Sequence, residues 1–204
     1  MTDEDGRILE ALGTHRMEYA GMLTNNYNGN PDWPVVSNQG FDRRHEGHWG
    51  WTTDAVVNEL EGWLGASNAA FDCCSGNLYP NIALVHLGTN DCIYGEPVSQ
   101  ILGELDQVVK ILHRHNPEMH VFLAKLIPAN YAEIQPCLDE LNDNLEDYFA
   151  SSPASGKVSV VDMTVGFTVE DDTWDNLHPN NQGSEKMANQ WLNAILAEFV
   201  FTGY

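Results

Sequence analysis

The chain has 204 residues, 43% of them apolar, enough for one substantial core and too few to argue for two, so a single domain over residues 1–204 is expected. Acidic residues outnumber Lys and Arg by 30 to 9, and the formal charge of -21 repels phosphate backbones and anionic bilayers, which makes nucleic acid and membrane surfaces poor partners. The plainer meaning of that charge is a solvated acidic surface.

In chain order, Ile8 to Leu23 carries an imperfect apolar stripe at helical spacing and runs into the turn-rich segment Asn25 to Pro34. Trp33 to Val36 reads as a short strand, Gln39 to His48 as a loop, and Thr53 to Leu64 as a helix started by Thr52 or Thr53. Asn81 to Leu87, a continuous apolar run between Pro80 and Gly88, predicts a buried parallel strand. Pro97 to His115 predicts an amphipathic helix; His113, Arg114 and His115 fall in its last turn, where cations suit the helix dipole, and read as helix-end residues in preference to ligands. Met119 to Ile127 is a second strand, Tyr131 to Phe149 a helix, Val158 to Val161 a third strand and Ser184 to Phe199 the closing helix. Strands alternating with helices predict a three-layer α/β/α sandwich around a parallel sheet, with ligands bound at the strands' C-terminal ends.

Apolar stretches such as Ile82 to Leu87 and Val121 to Ile127 fall far short of the roughly 20 residues a membrane helix needs. Met1-Thr2-Asp3-Glu4-Asp5 has no apolar core of the kind a secretory signal carries. The cysteines Cys73, Cys74, Cys92 and Cys137 show no C-x-x-C pairing, so no structural metal is expected. Cys92 follows a strand end and Cys137 begins the next-but-one helix, both near one face of the sheet. A bridge between them fits that placement and would imply an oxidising compartment. Cys73 and Cys74 enter the strand from its opposite end and are not expected to pair with them.

Three segments bring polar residues to the same sheet edge: His45-Glu46-Gly47-His48-Trp49-Gly50-Trp51-Thr52, Gly88-Thr89-Asn90-Asp91, and Asp175 to Asn180. Asp175 lies three residues before His178, close enough to hold one ring nitrogen while the other faces a reactant, the orienter and base halves of a hydrolase with a hydroxyl nucleophile. Asn90 offers an amide donor, and Gly50 a backbone N–H that can approach a reacting carbonyl. Singly, each has a bland reading, a helix cap with a surface histidine or a relaxed turn; together at one edge they favour a site. His45, Glu46 and His48 do not form H-E-x-x-H and read as loop scaffolding or substrate contacts.

The phrases HEGHWGWT, LGTND, LIP, VVDM and DNLHPN, in that order from about His45 onward, resemble blocks two, three and five of the SGNH (GDSL-type) serine hydrolases, most closely the small acetylxylan-esterase-like branch. The resemblance implies a flavodoxin-like sheet and a carboxylic-ester hydrolase that removes acetyl or other short acyl groups from carbohydrate or small esters. It makes His178 the general base, Asp175 its orienter, and Asn90 and Gly50 the oxyanion donors, with Trp49, Trp51 and Trp174 flanking the substrate. No metal or cofactor is implied, and the full-length form is expected to be secreted or extracellular.

The family's first block, a strand ending in Gly-Asp-Ser, does not occur in these residues. The expectation is a chain truncated just after the nucleophilic serine, which would stand immediately before Met1. Loss of that central strand would leave unpaired sheet edges open to self-association or to the segment Phe199 to Tyr204. Ser37 and Cys92 lie near the edge but off the sharp strand-to-helix turn that presents a nucleophile. A binding or assembly protein that keeps the pocket without the serine is the alternative from another class.

Overall fold

The computed structural model describes residues 47–48, 50–65, 81–152 and 157–200. The predicted helix over 8–23 and strand over 33–36, together with Ser37, His45, Glu46, Trp49, Cys73, Cys74 and the segment 201–204, lie outside them.

Among the described residues the elements run α1 (Thr53–Gly65), β1 (Ile82–Val85), α2 (Thr89–Tyr94), α3 (Val98–His115), β2 (His120–Lys125), α4 (Gln135–Ser151), β3 (Val158–Asp162), α5 (Val169–Asp172) and α6 (Asn181–Val200). The strands form a parallel sheet in the order β1-β2-β3, with Leu84 opposite Phe122 and Phe122 opposite Ser159. β2 is central, and its side chains alternate between two cores. Val121 and Leu123 join Val56 and Leu60 of α1, Ile101 and Val109 of α3 and Leu138 and Leu145 of α4. Phe122 and Ala124 join Val161 and Ile195, with Met187 and Trp191 of α6 packed beside them. Helices on both faces make the fold a three-layer α/β/α sandwich, as the alternating pattern predicts. Burial of a side chain such as Phe122, 0% exposed, is worth about 1.5–3 kcal/mol.

Where boundaries differ from the sequence reading, the cause is local. α4 begins at Gln135, not Tyr131, because Pro136 has no N–H and belongs in a helix's first turn. The residues before it form a turn in which the Ile134 and Gln135 amides donate to the Tyr131 carbonyl at 3.1 and 3.0 Å. β1 leaves the ladder after Val85 to reach Gly88, whose φ of 120° disfavours any side chain. A Cβ there would also lie 2.8 Å from Leu141 Cδ2, so this glycine sets how closely the strand end approaches α4.

His113, Arg114 and His115 behave as helix-end residues. His113 Nε2 lies 3.0 Å from the Met119 carbonyl, while Arg114 and His115 pair with Glu61 of α1 at 2.7 and 3.2 Å. Cys92 and Cys137 form a disulfide with Cα atoms 5.6 Å apart, fastening α2 to α4. It closes a separation of 45 residues, for which chain entropy gives a stabilisation of about 4 kcal/mol. Denaturant unfolding with and without a reductant should show that loss, with a lowered midpoint; an unchanged midpoint after verified reduction would contradict it.

Candidate active site

Because the strands are parallel, their C-terminal ends share one edge, and the described parts of the three motifs meet the sheet there. The chain turns at Gly88 into α2, and two consecutive side chains of that helix reach back to the segment ahead of α1. Asn90 Nδ2 donates to the Trp51 carbonyl at 2.7 Å, and Asp91 Oδ1 accepts from the Thr53 amide at 2.9 Å. Gly50 sits in a turn with φ of 72°, and a Cβ there would meet nothing within 4 Å, so glycine serves the backbone angle and not the space. The Trp51 ring stacks on His48 at 4.2 Å and packs against the core over α1, α3 and α4, which makes it a half-buried wall.

On the other side, Asp175 folds its own loop. Its Oδ1 accepts from the His178 and Leu177 amides at 2.8 and 3.2 Å, and its Oδ2 bonds His178 Nδ1 at 2.8 Å. Burial pulls this carboxyl up, but the His178 amide, the His178 ring and the Leu177 amide outweigh it and hold the group below the usual carboxylate range. Asn176 takes the left-handed conformation that Asn tolerates, with φ of 68°. Thr173 and Pro179 form an antiparallel bridge, the Trp174 amide donates to the His178 carbonyl at 3.0 Å, and Trp174 Nε1 donates to the Pro179 carbonyl at 2.7 Å. The Trp174 ring is 67% exposed.

This loop is also tied to the one after β2. The Asn130 amide donates to the Asn176 carbonyl at 2.9 Å, and the Tyr131 hydroxyl donates to the Asp175 carbonyl at 2.8 Å. Leu177 packs against the same core as Trp51. Gly50, Asn90, Asp175 and His178 therefore all stand at the C-terminal edge. Tyr131 and Asp91 join this edge without being singled out in the sequence. Nothing in local spacing signals Tyr131, whereas Asp91 lies inside the GTND phrase that drew attention to Asn90.

Beneath the loop, Asp172 is 0% exposed and bonds three groups: the Thr168 amide at 2.7 Å, Gln182 Nε2 at 3.1 Å and Lys186 Nζ at 2.7 Å. Burial raises its carboxyl, while Lys186, the Thr168 amide and Gln182 together bring it below the ordinary value. Asn180 Oδ1 accepts from the Gly183 amide in the first turn of α6, and a Cβ on Gly183 would lie 2.2 Å from the Asp172 carbonyl oxygen. The Asp175–His178 pair thus rests on a buried, hydrogen-bonded support.

Other histidines are placed differently. His120 Nε2 lies 2.9 Å from Ser159 Oγ, and its Nδ1 lies 3.5 Å from Glu198 Oε1, a serine–histidine–acid sequence in outline. Yet Ser159 lies within a strand, His120 starts β2 at the opposite edge of the sheet, and its ring packs against Phe122 and Phe199 at 4.5 and 5.8 Å. That cluster pins α6 to the sheet. Burial lowers His86 to about 4, which leaves it a poor base. Cys92, weighed above as a nucleophile, is held in the disulfide and has no thiolate to offer.

Replacing Lys186 with Met should cost on the order of 3 kcal/mol at pH 7, since it leaves the buried Asp172 charge without its cation. In the native chain the lowered Asp172 pKa contributes stability that is present above its unfolded value and lost as pH falls through the folded one. In Lys186→Met desolvation dominates and the order reverses. Thermal melts should therefore show the gap between the two proteins narrowing from pH 7 to pH 4, and a gap that widens would overturn this account.

Comparison with known proteins agrees with this architecture. The chain is 27% identical over 175 residues to a multidomain esterase of Ruminococcus flavefaciens, a match covering 76% of this chain and 21% of that protein, so the chain spans about a fifth of that relative's length. Among solved structures it is similar to a carbohydrate esterase family 3 protein from Talaromyces cellulolyticus, with 27% identity, a TM-score of 0.65, and 78% of this chain and 73% of that one covered. An acetyl esterase whose serine is mutated to alanine, solved with an acetate ion, is similar at 27% identity and a TM-score of 0.64, covering 78% of this chain and 75% of its own. The family model for GDSL-like lipases and acylhydrolases matches residues 12–186, and the chain belongs to that family.

Proposed function

We propose that this chain carries the acid, base and oxyanion-binding parts of a carboxylic-ester hydrolase acting on acetyl or similarly short acyl groups of carbohydrate or small esters. The observation that carries the proposal is the 2.8 Å bond between His178 Nδ1 and Asp175 Oδ2, on a loop at the sheet edge where Asn90 also stands. With the Nδ1 proton donated to the carboxylate, Nε2 is the ring nitrogen that bears the basic lone pair. The nucleophile the reading requires is a serine hydroxyl from a Gly-Asp-Ser segment ahead of Met1.

In the proposed sequence the serine oxygen attacks the ester carbonyl carbon as its proton passes to His178 Nε2. The Gly50 amide and the Asn90 side-chain amide meet the oxyanion, and a carboxamide with one N–H on Trp51 has a second to give. The alcohol leaves with the proton from Nε2. Water then attacks the acyl-serine, Nε2 takes its proton, and the acid departs as the serine is restored. Asp175, held below the usual carboxylate range, stays ionised and stabilises the imidazolium.

Substrate class rests on the relatives' own descriptions and on two exposed rings beside the pair, Trp174 at 67% and Tyr131 at 41%, whose faces suit a sugar ring. Trp51 remains part of the proposed wall; Trp49, outside the described residues, stays a candidate from the sequence alone. The Cys92–Cys137 bridge supports an oxidising compartment, and no helix among the described residues is long and apolar enough to cross a membrane. A non-catalytic binding protein is the second reading, favoured by the lack of Gly-Asp-Ser in these 204 residues.

The test uses 4-nitrophenyl acetate with the 204-residue chain and with the same chain extended by its natural upstream codons. The esterase reading expects turnover where the serine is present, a fall on the order of 10⁴-fold or more in His178→Ala, and a fall of about 10²–10³-fold in Asn90→Ala. Turnover indifferent to His178→Ala, or none in a chain that contains Gly-Asp-Ser, would reject it.

A further inference from the structure

We infer that Asp91 is a positioning residue for the oxyanion pocket, holding the backbone at Gly50 to Thr53 in register with the Asn90 side chain. The inference rests on the ester-hydrolase reading above and adds to it a residue that touches neither substrate nor reacting atoms. Its basis is a contrast among buried carboxylates.

Of the described residues, Asp91, Asp106 and Asp172 are aspartates buried to 0%, 7% and 0% exposure. Asp106 pairs with Lys110 at 2.5 Å and accepts from Ser152 Oγ at 2.6 Å. Asp172 has Lys186 and two further donors. Among the described residues Asp91 is paired with no cation: its Oδ1 accepts from the Thr53 amide at 2.9 Å, and its Oδ2 is buried without a hydrogen bond, as is Thr53 Oγ1. A carboxylate in that condition weakens the fold, because its desolvation is repaid by neutral donors alone, and an apolar residue of similar size would be cheaper. Burial indeed pushes the Asp91 carboxyl up, with the Thr53 amide opposing.

Its bond accounts for its presence. Thr53 is the first residue of α1, so its N–H is one of the helix's unsatisfied donors, and Asp91 caps it from 38 positions away in sequence. The neighbouring residue, Asn90, takes the Trp51 carbonyl. Two successive residues of α2 therefore grip two points, Trp51 and Thr53, of one short segment that starts at Gly50. A single bond would leave that segment free to rotate about it. Two fix its distance and its tilt, and with them the direction of the Gly50 N–H relative to the Asn90 amide. Because Gly50 takes φ of 72° with nothing packed where a Cβ would be, side-chain packing does not fix its orientation. α2 itself is anchored by Gly88 against Leu141 and by the disulfide to α4, so the reference frame is firm.

The test needs no nucleophile, since sodium acetate presents a carboxylate oxygen to the same donors. In the wild-type 204-residue chain, acetate should shift the NMR signals of the Gly50 amide and the Asn90 side-chain amide with one common Kd. Asp91→Ala should weaken that Kd at least about tenfold, with no fall in Tm, and Asp91→Asn, which keeps an acceptor for the Thr53 N–H, should restore it to within about threefold. Thr53→Pro removes the same bond from the donor's side at a helix position where proline is tolerated, and should weaken the acetate Kd as Asp91→Ala does even if the latter fails to fold, though it leaves the Asp91 carboxylate without that donor and should lower Tm. For Asp91→Ala a positioning role predicts lost binding without lost stability; a merely structural one predicts lost stability with binding retained in the folded fraction. If wild type binds acetate and Thr53→Pro binds it equally, the inference is overturned while the ester-hydrolase reading stands. If acetate moves neither signal in wild type, the pocket reading falls and this inference with it.

Discussion

Parallel pairing of β1, β2 and β3 is the constraint from which the arrangement follows. Each strand must return to the same starting end before the next begins, so every connection departs from one edge and every crossover helix lies on a face. β2, buried on both sides, sets the spacing between the two helical layers. Its neighbours' C-terminal loops are then neighbours too, although Gly50, Asn90 and His178 are far apart in the chain. The bonds from Asn130 and Tyr131 to Asn176 and Asp175 complete that arrangement, linking the loop after β2 to the loop after β3.

Much of this is legible because it is periodic. In α3, Val98, Ile101, Leu102, Leu105, Val108, Val109 and Leu112 recur at helical spacing, and all are buried. β2 reads as a run of apolar residues because both its faces meet helices. The Asp175–His178 pair is legible for a different reason: its partners are three residues apart, so the motif and the contact coincide. Capping of α1 by Asp91 and support of Asp172 by Lys186 leave no such trace, since each joins segments that only the fold brings together. Periodicity reports which face is buried; it does not report which distant carboxylate will meet an orphan amide. Missing the later start of α4 was avoidable, because Pro136 marks a first turn.

The buried aspartates show how one side chain serves two ends. Asp172 and Asp106 have lysines beside them, and their charges are repaid in place. Among the described residues Asp91 has none, and its cost falls on a helix N-terminus whose partial positive charge and exposed N–H groups favour an anion without neutralising it fully. That is a weaker form of compensation, and it has a directional consequence a lysine would lack. A flexible ammonium tolerates displacement of its partner, whereas a backbone amide at the start of a helix does not move without the helix. With Asp91 as the acceptor, the position of α2 is therefore transmitted to α1 and to the turn ahead of it.

The overall charge of -21 acts on the same edge from a longer range. A negative field lowers the local concentration of anions and leaves neutral solutes untouched, within the Debye length of about 10 Å at 0.1 M salt. A neutral solute approaches such a protein unhindered, and a carboxylate is repelled. Under the proposed ester-hydrolase reading the acidic surface and the locked Asp175 work in one direction: the first would disfavour retention of an anionic product, and the second would keep the imidazole in the tautomer that begins the next cycle. Charge of this kind is not needed to build the fold, whose cores are apolar on both faces of β2. It bears instead on which molecules reach the edge and which leave it.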